Sequence, residues 1–259
     1  MKLETRFQHP LTTPWFQGRI GAGQVEQRVG ELELTLPPDS SPTYHDAQIT
    51  DYQHPQDFRW QPPLRLTVTA RFAAPAPLVG TAGFGFWNHP FVPGQKGFRL
   101  PKALWFFFSA PPSRMQLDAA VPGPGWKAAT LDATRLPFLC LAPTAPLGFP
   151  LMRFPPLYRR LWPLGQRALG VSEHLLDIAL LRQSHTYTID WQPGTIRFSL
   201  DGHMLHQTPS APRGPLGFIA WIDNQYAIVT PQGSFGFGVT PVAARQSLLI
   251  EHILIESTN

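Results

Sequence analysis

Thirty of the 259 residues are proline, and they are spread along the whole chain. Proline lacks a backbone N–H and clashes with the preceding helical turn, so long uninterrupted helices are excluded. Together with 21 glycines, this pattern suits short strands joined by many turns. Charged residues make up only 15%, well under the roughly 25% typical of globular chains, which argues against disorder driven by charge. The expected fold class is all-β: a two-sheet antiparallel β-sandwich in one domain, 1–259, with a partly helical, Pro/Leu-rich insertion.

The net charge of +4 is not gathered anywhere. Lysine occurs only at Lys2, Lys96, Lys102 and Lys127, and Arg159–Arg160 is the one basic pair. A nucleic-acid surface concentrates such residues, so no nucleic-acid partner is expected. Cys140 is the sole cysteine, which rules out an internal disulfide. Its place in the apolar run Leu136–Leu141 predicts a small buried hydrophobe. Residues Met1–Pro10 lack the apolar core of a signal peptide, and no run is long enough to span a bilayer. A cytoplasmic location is the default expectation.

Strand patterns follow an irregular N-terminal arm, 1–29. Leu32, Leu34 and Leu36 alternate with polar neighbours, as do Leu64, Leu66, Val68 and Ala70. The runs Gly83–Trp87 and Ala103–Ser109 are aromatic and apolar; the second is apolar on both faces, as in a central covered strand. A further strand is expected at Met115–Ala119. Between 122 and 183 alternation disappears and proline and leucine dominate, which marks the insertion. Leu157–Leu169 predicts a helix interrupted at Pro163 and Gly165, and Ser172–Arg182 a second helix with Ser172 as its N-cap. Mixed with Arg153, Arg159, Arg160 and Arg167, the apolar residues of 153–170 suit a lid over an apolar pocket; contact with a membrane surface is the less favoured alternative. Strands resume at His185–Trp191, Thr195–Leu200, His203–His206, Leu216–Asp223 and Leu248–Ile255, with Asp201-Gly202 as a hairpin turn.

The segment His185-Thr-Tyr-Thr-Ile-Asp-Trp191, followed by Pro193-Gly-Thr-Ile-Arg-Phe-Ser-Leu-Asp-Gly202 and the apolar run to Trp221, resembles the family 16 glycoside hydrolases and their concanavalin A-like relatives. Those proteins carry a similar H-x-Y-x-x-x-W … I-x-(F/W)-x-x-D-G hairpin. Tyr44–Tyr52, Leu64–Phe72 and Gly83–Trp87 are similar to the strands that lead to the family's Phe-Trp strand. The resemblance covers most of 30–256 outside the insertion. It implies a concanavalin A-like jelly roll of two curved antiparallel sheets, with a ligand cleft on the concave face.

The same resemblance implies an E-x-D-x-x-E strand carrying a nucleophile and an acid/base. Retaining hydrolysis requires two carboxyls about 5–5.5 Å apart on one face. Ala103–Ala110 stands at that place and holds no acid: Trp105, Phe107 and Ser109 share one face, and Leu104, Phe106 and Phe108 the other. An ordinary retaining glycosidase is therefore not expected. Glu173 and Asp177 have the spacing of a helix face, not of a strand pair.

Candidate residues flank the apolar strands. Asp223 follows an apolar run whose surroundings would raise its pKa, and His89 titrates near neutrality; these are the candidate acid/base groups. Trp87, Asn88, Trp105, Phe107, Trp221, Asn224 and Tyr226 are the candidate ligand contacts. His203 and His206 have the wrong parity for one strand face, and no metal site or cofactor is expected. Three readings remain open. In the first, an aromatic cleft binds an apolar small molecule and, in its enzyme version, isomerises, cyclises or hydrates it by acid/base chemistry. In the second, the sandwich binds carbohydrate or is an atypical glycoside hydrolase-like protein. In the third, the cleft is filled and the chain is an interaction module. The apolar character of Ala103–Phe108 favours the first over the second; an open apolar cleft points to the first, polar rims to the second and a filled cleft to the third.

Overall fold

Polar edge segments carry no apolar alternation, which is why the N-terminal arm reads as irregular. In the computed structural model, which describes residues 1–90 and 99–258, it forms three strands: β1 (Lys2–Thr5), β2 (Phe16–Ile20) and β3 (Gln24–Arg28). Each pairs on one side only, so most of its side chains stay in water. The alternating runs follow as β4 (Glu31–Leu36), β5 (Asp46–Thr50), β6 (Leu64–Ala73), β7 (Thr81–Trp87), β8 (Lys102–Ser109) and β9 (Gly125–Asp132). The strand expected at Met115–Ala119 does not form. That segment turns, and only Arg114 makes a bridge, to Ile228.

The insertion is shorter than the sequence implies, because β9 takes its start and β10 (Ser172–Leu176) its end. Between them lie α1 (Leu136–Leu141), α2 (Ala145–Leu151) and α3 (Pro155–Ala168). α3 runs unbroken through Pro163 and Gly165. Pro163 lies on the solvent side, where water can serve the carbonyl that its ring leaves free, and Gly165 lets the Trp162 ring lie against the helix. Ser172–Arg182 is not a helix. Its first five residues pair with β9, and Asp177 Oδ1 accepts from the Ala179 N–H (2.9 Å) to start a 3₁₀ turn at Ile178. Leu175 and Ile178, whose spacing mimics a helix face, are both exposed. Cys140 is also exposed, contrary to the burial expected of it, since α1 packs few of its residues inward.

The C-terminal strands are β11 (His185–Gln192), β12 (Thr195–Leu200), β13 (His203–Thr208), β14 (Gly217–Asp223), β15 (Gln225–Val229), β16 (Phe235–Val239) and β17 (Gln246–Ser257). Asp201 and Gly202 both adopt positive φ (49° and 81°), as a tight two-residue hairpin requires. β17 contains a bulge between Ile250 and His252, which moves its inward residues from Leu248 and Ile250 to Ile253 and Ile255. That shift explains the loose alternation of this run.

Among the described residues, one sheet has the order β13-β12-β11-β6-β17-β4-β3, with β1 added on β17. The other is β10-β9-β8-β7-β14-β5-β2, and β15-β16 forms a ribbon. All pairings within these sheets are antiparallel. The two sheets enclose an aromatic core in which Phe84, Phe106, Trp126, Tyr187 and Phe198 meet edge to face.

Candidate functional site

Residues that alternate with the core positions of the second sheet form its outer face. Strand register orders them in rows. Gly18, Gln48, Trp221, Gly83, Phe107 and Lys127 lie in one row; Phe16, Thr50, Ile219, Gly85, Trp105 and Ala129 lie in the next. Trp87 stands one row further along β7.

Four of the predicted ligand contacts come together here. Trp105 packs on Phe107 at 5.2 Å between ring centres and on Trp221 at 5.3 Å, and Trp87 lies 6.3 Å from Trp105. The slab depends on two glycines. A Cβ on Gly83 would lie 3.1 Å from the Trp221 ring, and one on Gly85 would lie 2.6 Å from the Trp105 Cβ. The Gly-Phe-Gly run of β7 therefore supplies bare backbone under neighbouring rings.

His89 stacks on Trp87 at 4.8 Å, and the Trp87 indole N–H donates to the Tyr52 hydroxyl. Beside these rings, a cavity of about 370 Å³ is lined by Phe16, Gln17, Gly18, Gln48, Thr50, Tyr52, Gln53, His54 and His89. Its walls combine aromatic rings with Gln48 and Gln53; Gln17 alternates to the other face of β2, where its Oε1 accepts from Arg19 Nη2 (2.9 Å). None of its lining residues comes from the insertion, so the lid expected there does not border this groove.

Asp223 sits at the end of β14, directly opposite Asp46 of β5 and Thr81 of β7. Its Oδ1 accepts from the Thr81 N–H (3.1 Å), the Thr81 hydroxyl (2.9 Å) and the Gln225 N–H (3.0 Å). The Thr81 oxygen in turn accepts from the Trp221 indole N–H (3.0 Å). Burial pushes Asp223 up to about 7 against the pull of those hydrogen bonds. Burial, then the charge of Asp223, pushes Asp46 up to about 8. The buried Tyr44 phenol is raised as well, by burial and by the two carboxyls beside it.

Other candidates are committed elsewhere. Asn88 Nδ2 donates to Leu100 O and its Oδ1 accepts from the Lys102 N–H, each at 2.9 Å, so the amide clamps the two ends of a loop. Asn224 is fully buried: Oδ1 accepts from the His45 N–H, and Nδ2 donates to the Thr43 and Thr240 carbonyls. Tyr226 lies on the β15–β16 ribbon with its ring over Gly238, off the seven-stranded sheet. Backbone groups thus take up the side-chain amides of both Asn88 and Asn224.

Sequence reasoning passed over Gln48 and Tyr52, and also a buried ion pair. Lys127, 1% exposed, lies 3.3 Å from Glu173 on the outer face of β9–β10. The Asp118 N–H also donates to Glu173 (3.4 Å), and burial pushes that carboxyl up to about 7 despite Lys127. The outward parity of Lys127, between core residues Trp126 and Ala128, was the available signal. No group of three or more metal-ligating side chains occurs among the described residues.

This is the architecture of the concanavalin A-like β-sandwiches, to which the family 16 glucanases belong. Solved structures that share it include the Emp47p carbohydrate recognition domain, at TM-score 0.55 and 9% identity over 100% of this chain and 95% of that one. A β-1,3-1,4-glucanase from a mouse hindgut metagenome aligns at TM-score 0.53 and 12% identity over 99% of each chain. An endo-acting O-glycanase of the human gut microbiota aligns at 0.56 and 11%, again over 99% of each. No protein-family model and no curated protein sequence matches the chain.

Proposed function

We propose that the chain is a carbohydrate-binding sandwich that holds a saccharide in the groove beside its aromatic slab. The observation that carries this reading is the wall of the 370 Å³ cavity, where Gln48 and Gln53 stand beside aromatic rings. Sugars present apolar C–H faces ringed by hydroxyls. Rings match the faces, and amides, which both donate and accept, match the hydroxyls. In this reading Trp87, His89, Tyr52 and Phe16 form the platform, while Trp105, Phe107 and Trp221 back it. Asp223 positions Trp221 through Thr81 and does not meet substrate. The strand that would bear a retaining pair offers Trp105, Phe107 and Ser109 instead, so binding without ordinary retaining hydrolysis fits best. The shared fold of a carbohydrate recognition domain and of glycan-cleaving enzymes supports the same reading as an analogy.

The apolar floor supplied by β8 favours a second reading, a flat apolar ligand. One experiment separates the two: titration of tryptophan emission with gluco- and galacto-oligosaccharides and, in parallel, with polyenes, terpenoids and aromatics. Saturable change with a saccharide, weakened about tenfold in Gln48→Ala, is expected. Saturation by the apolar panel alone would overturn the carbohydrate reading.

A further inference from the structure

The insertion between 133 and 171 contains five arginines and no acidic residue. The structure leaves its apolar side chains in water. Leu147 is 76% exposed, Phe154 63% and, on the adjoining ribbon, Phe235 60%. These belong to joined elements: Phe149 of α2 packs on Phe235 at 5.6 Å, and Arg153 Nε donates to the Gln232 carbonyl at 3.5 Å. α3 buries Trp162, Gly165 and Ala168 and fixes them through the Trp162 indole, which donates to Leu117 O (2.9 Å). Arg160 and Arg167 lie on the side turned away from these three, and Leu164 (57% exposed) flanks them in water.

Exposed leucines and phenylalanines interleaved with arginines are costly to present to water alone. A surface that is both apolar and anionic relieves both terms, since the rings and leucines enter the acyl boundary while guanidinium groups remain with phosphates. Among the described residues no helix is long and apolar enough to cross a membrane. From these observations we infer that the insertion, with the β15–β16 tip, is a docking surface for anionic lipid headgroups. The absence of any acid across 133–171 decides for a negatively charged surface over a neutral one.

The test is co-sedimentation of the intact protein with phosphatidylcholine vesicles containing about 30 mol % phosphatidylserine, against phosphatidylcholine alone. Cys140, the sole cysteine and exposed on α1, takes an environment-sensitive fluorophore as a second readout. Binding to the anionic vesicles with a blue shift of the label is expected. Arg159→Ser with Arg160→Ser should weaken it by about fivefold per arginine. Phe154→Glu, at a position already in water, should abolish the blue shift with no change in thermal melting. Equal partition into neutral and anionic vesicles, or none into either, would overturn the inference; the second result would assign the patch to an acidic protein surface.

Discussion

Asp46 and Asp223 face each other across adjacent antiparallel strands, both buried and both raised, to about 8 and about 7. Directly opposed residues have Cβ atoms about 4.5–5.5 Å apart, so near neutral pH the two carboxyls cannot both ionise without repulsion, and they titrate as a pair. An acid raised in the folded state keeps its proton where the unfolded chain has lost it. Its stabilising contribution is complete below the unfolded pKa, near 3.8, and is lost as pH rises through 7 to 8. Glu173, raised to about 7, adds in the same direction. Melting temperature should therefore fall between pH 5 and pH 8.5, at about 1.4 kcal/mol per pH unit for each proton released. Asp46→Asn should flatten the profile and exceed the wild type in stability at pH 8.5. An unchanged slope in that variant would remove the pair as its cause.

Thr81 joins this pair to the slab, accepting from Trp221 and donating to Asp223. Thr81→Val keeps the shape of the side chain but leaves an indole N–H without its acceptor and takes one donor from the carboxylate. A cost of about 1–3 kcal/mol in urea unfolding is expected, together with a shift in tryptophan emission. Near-zero cost would mean that water replaces the hydroxyl at both partners.

Trp87 and Gln48 represent the two chemistries of the groove, platform and rim. Each replaced by Ala should weaken saccharide binding about tenfold, corresponding to about 1.4 kcal/mol. Isothermal titration checks the affinities, and thermal scans should show little change in melting temperature for Gln48→Ala, which lines the cavity. An affinity insensitive to both substitutions would place the ligand elsewhere.

Lys127 and Glu173 make a buried pair at one edge of the same sheet face. Removing one member strands the other, so Lys127→Met should cost about 3–5 kcal/mol. Lys127→Met with Glu173→Leu should recover much of that loss, because two apolar residues replace two buried charges. A double variant no better than the single would show that the Asp118 N–H contact to Glu173 outweighs the ion pair.

The strands that form the core were legible because Leu32–Leu36 alternates apolar with polar residues, and Leu64–Ala70 and Tyr187–Trp191 bury one face and wet the other. Edge strands such as Gln24–Arg28 and Ser172–Leu176 were not, since they pair on one side and bury little. The aromatic slab was foreseeable residue by residue, as parity alone places Trp105 with Phe107. The companion of Asp223 was not, because the register that sets Asp46 opposite it joins strands 177 positions apart. The asparagines misled for a local reason: an amide in a polar, turn-rich stretch looks the same in sequence whether it meets a ligand or caps a backbone, as Asn224 does for His45.

The two glycines of β7 carry a consequence for how this surface can change. Between Thr81 and Trp87 the strand presents no outward side chain of its own, and the ground above it is occupied by rings anchored on β8 and β14. Any side chain at Gly83 or Gly85 would first meet the β8 backbone, at the Phe106 and Leu104 carbonyls, before it could touch a ligand. New specificity can therefore be written only on the flanking strands, with β7 serving as the blank line between them.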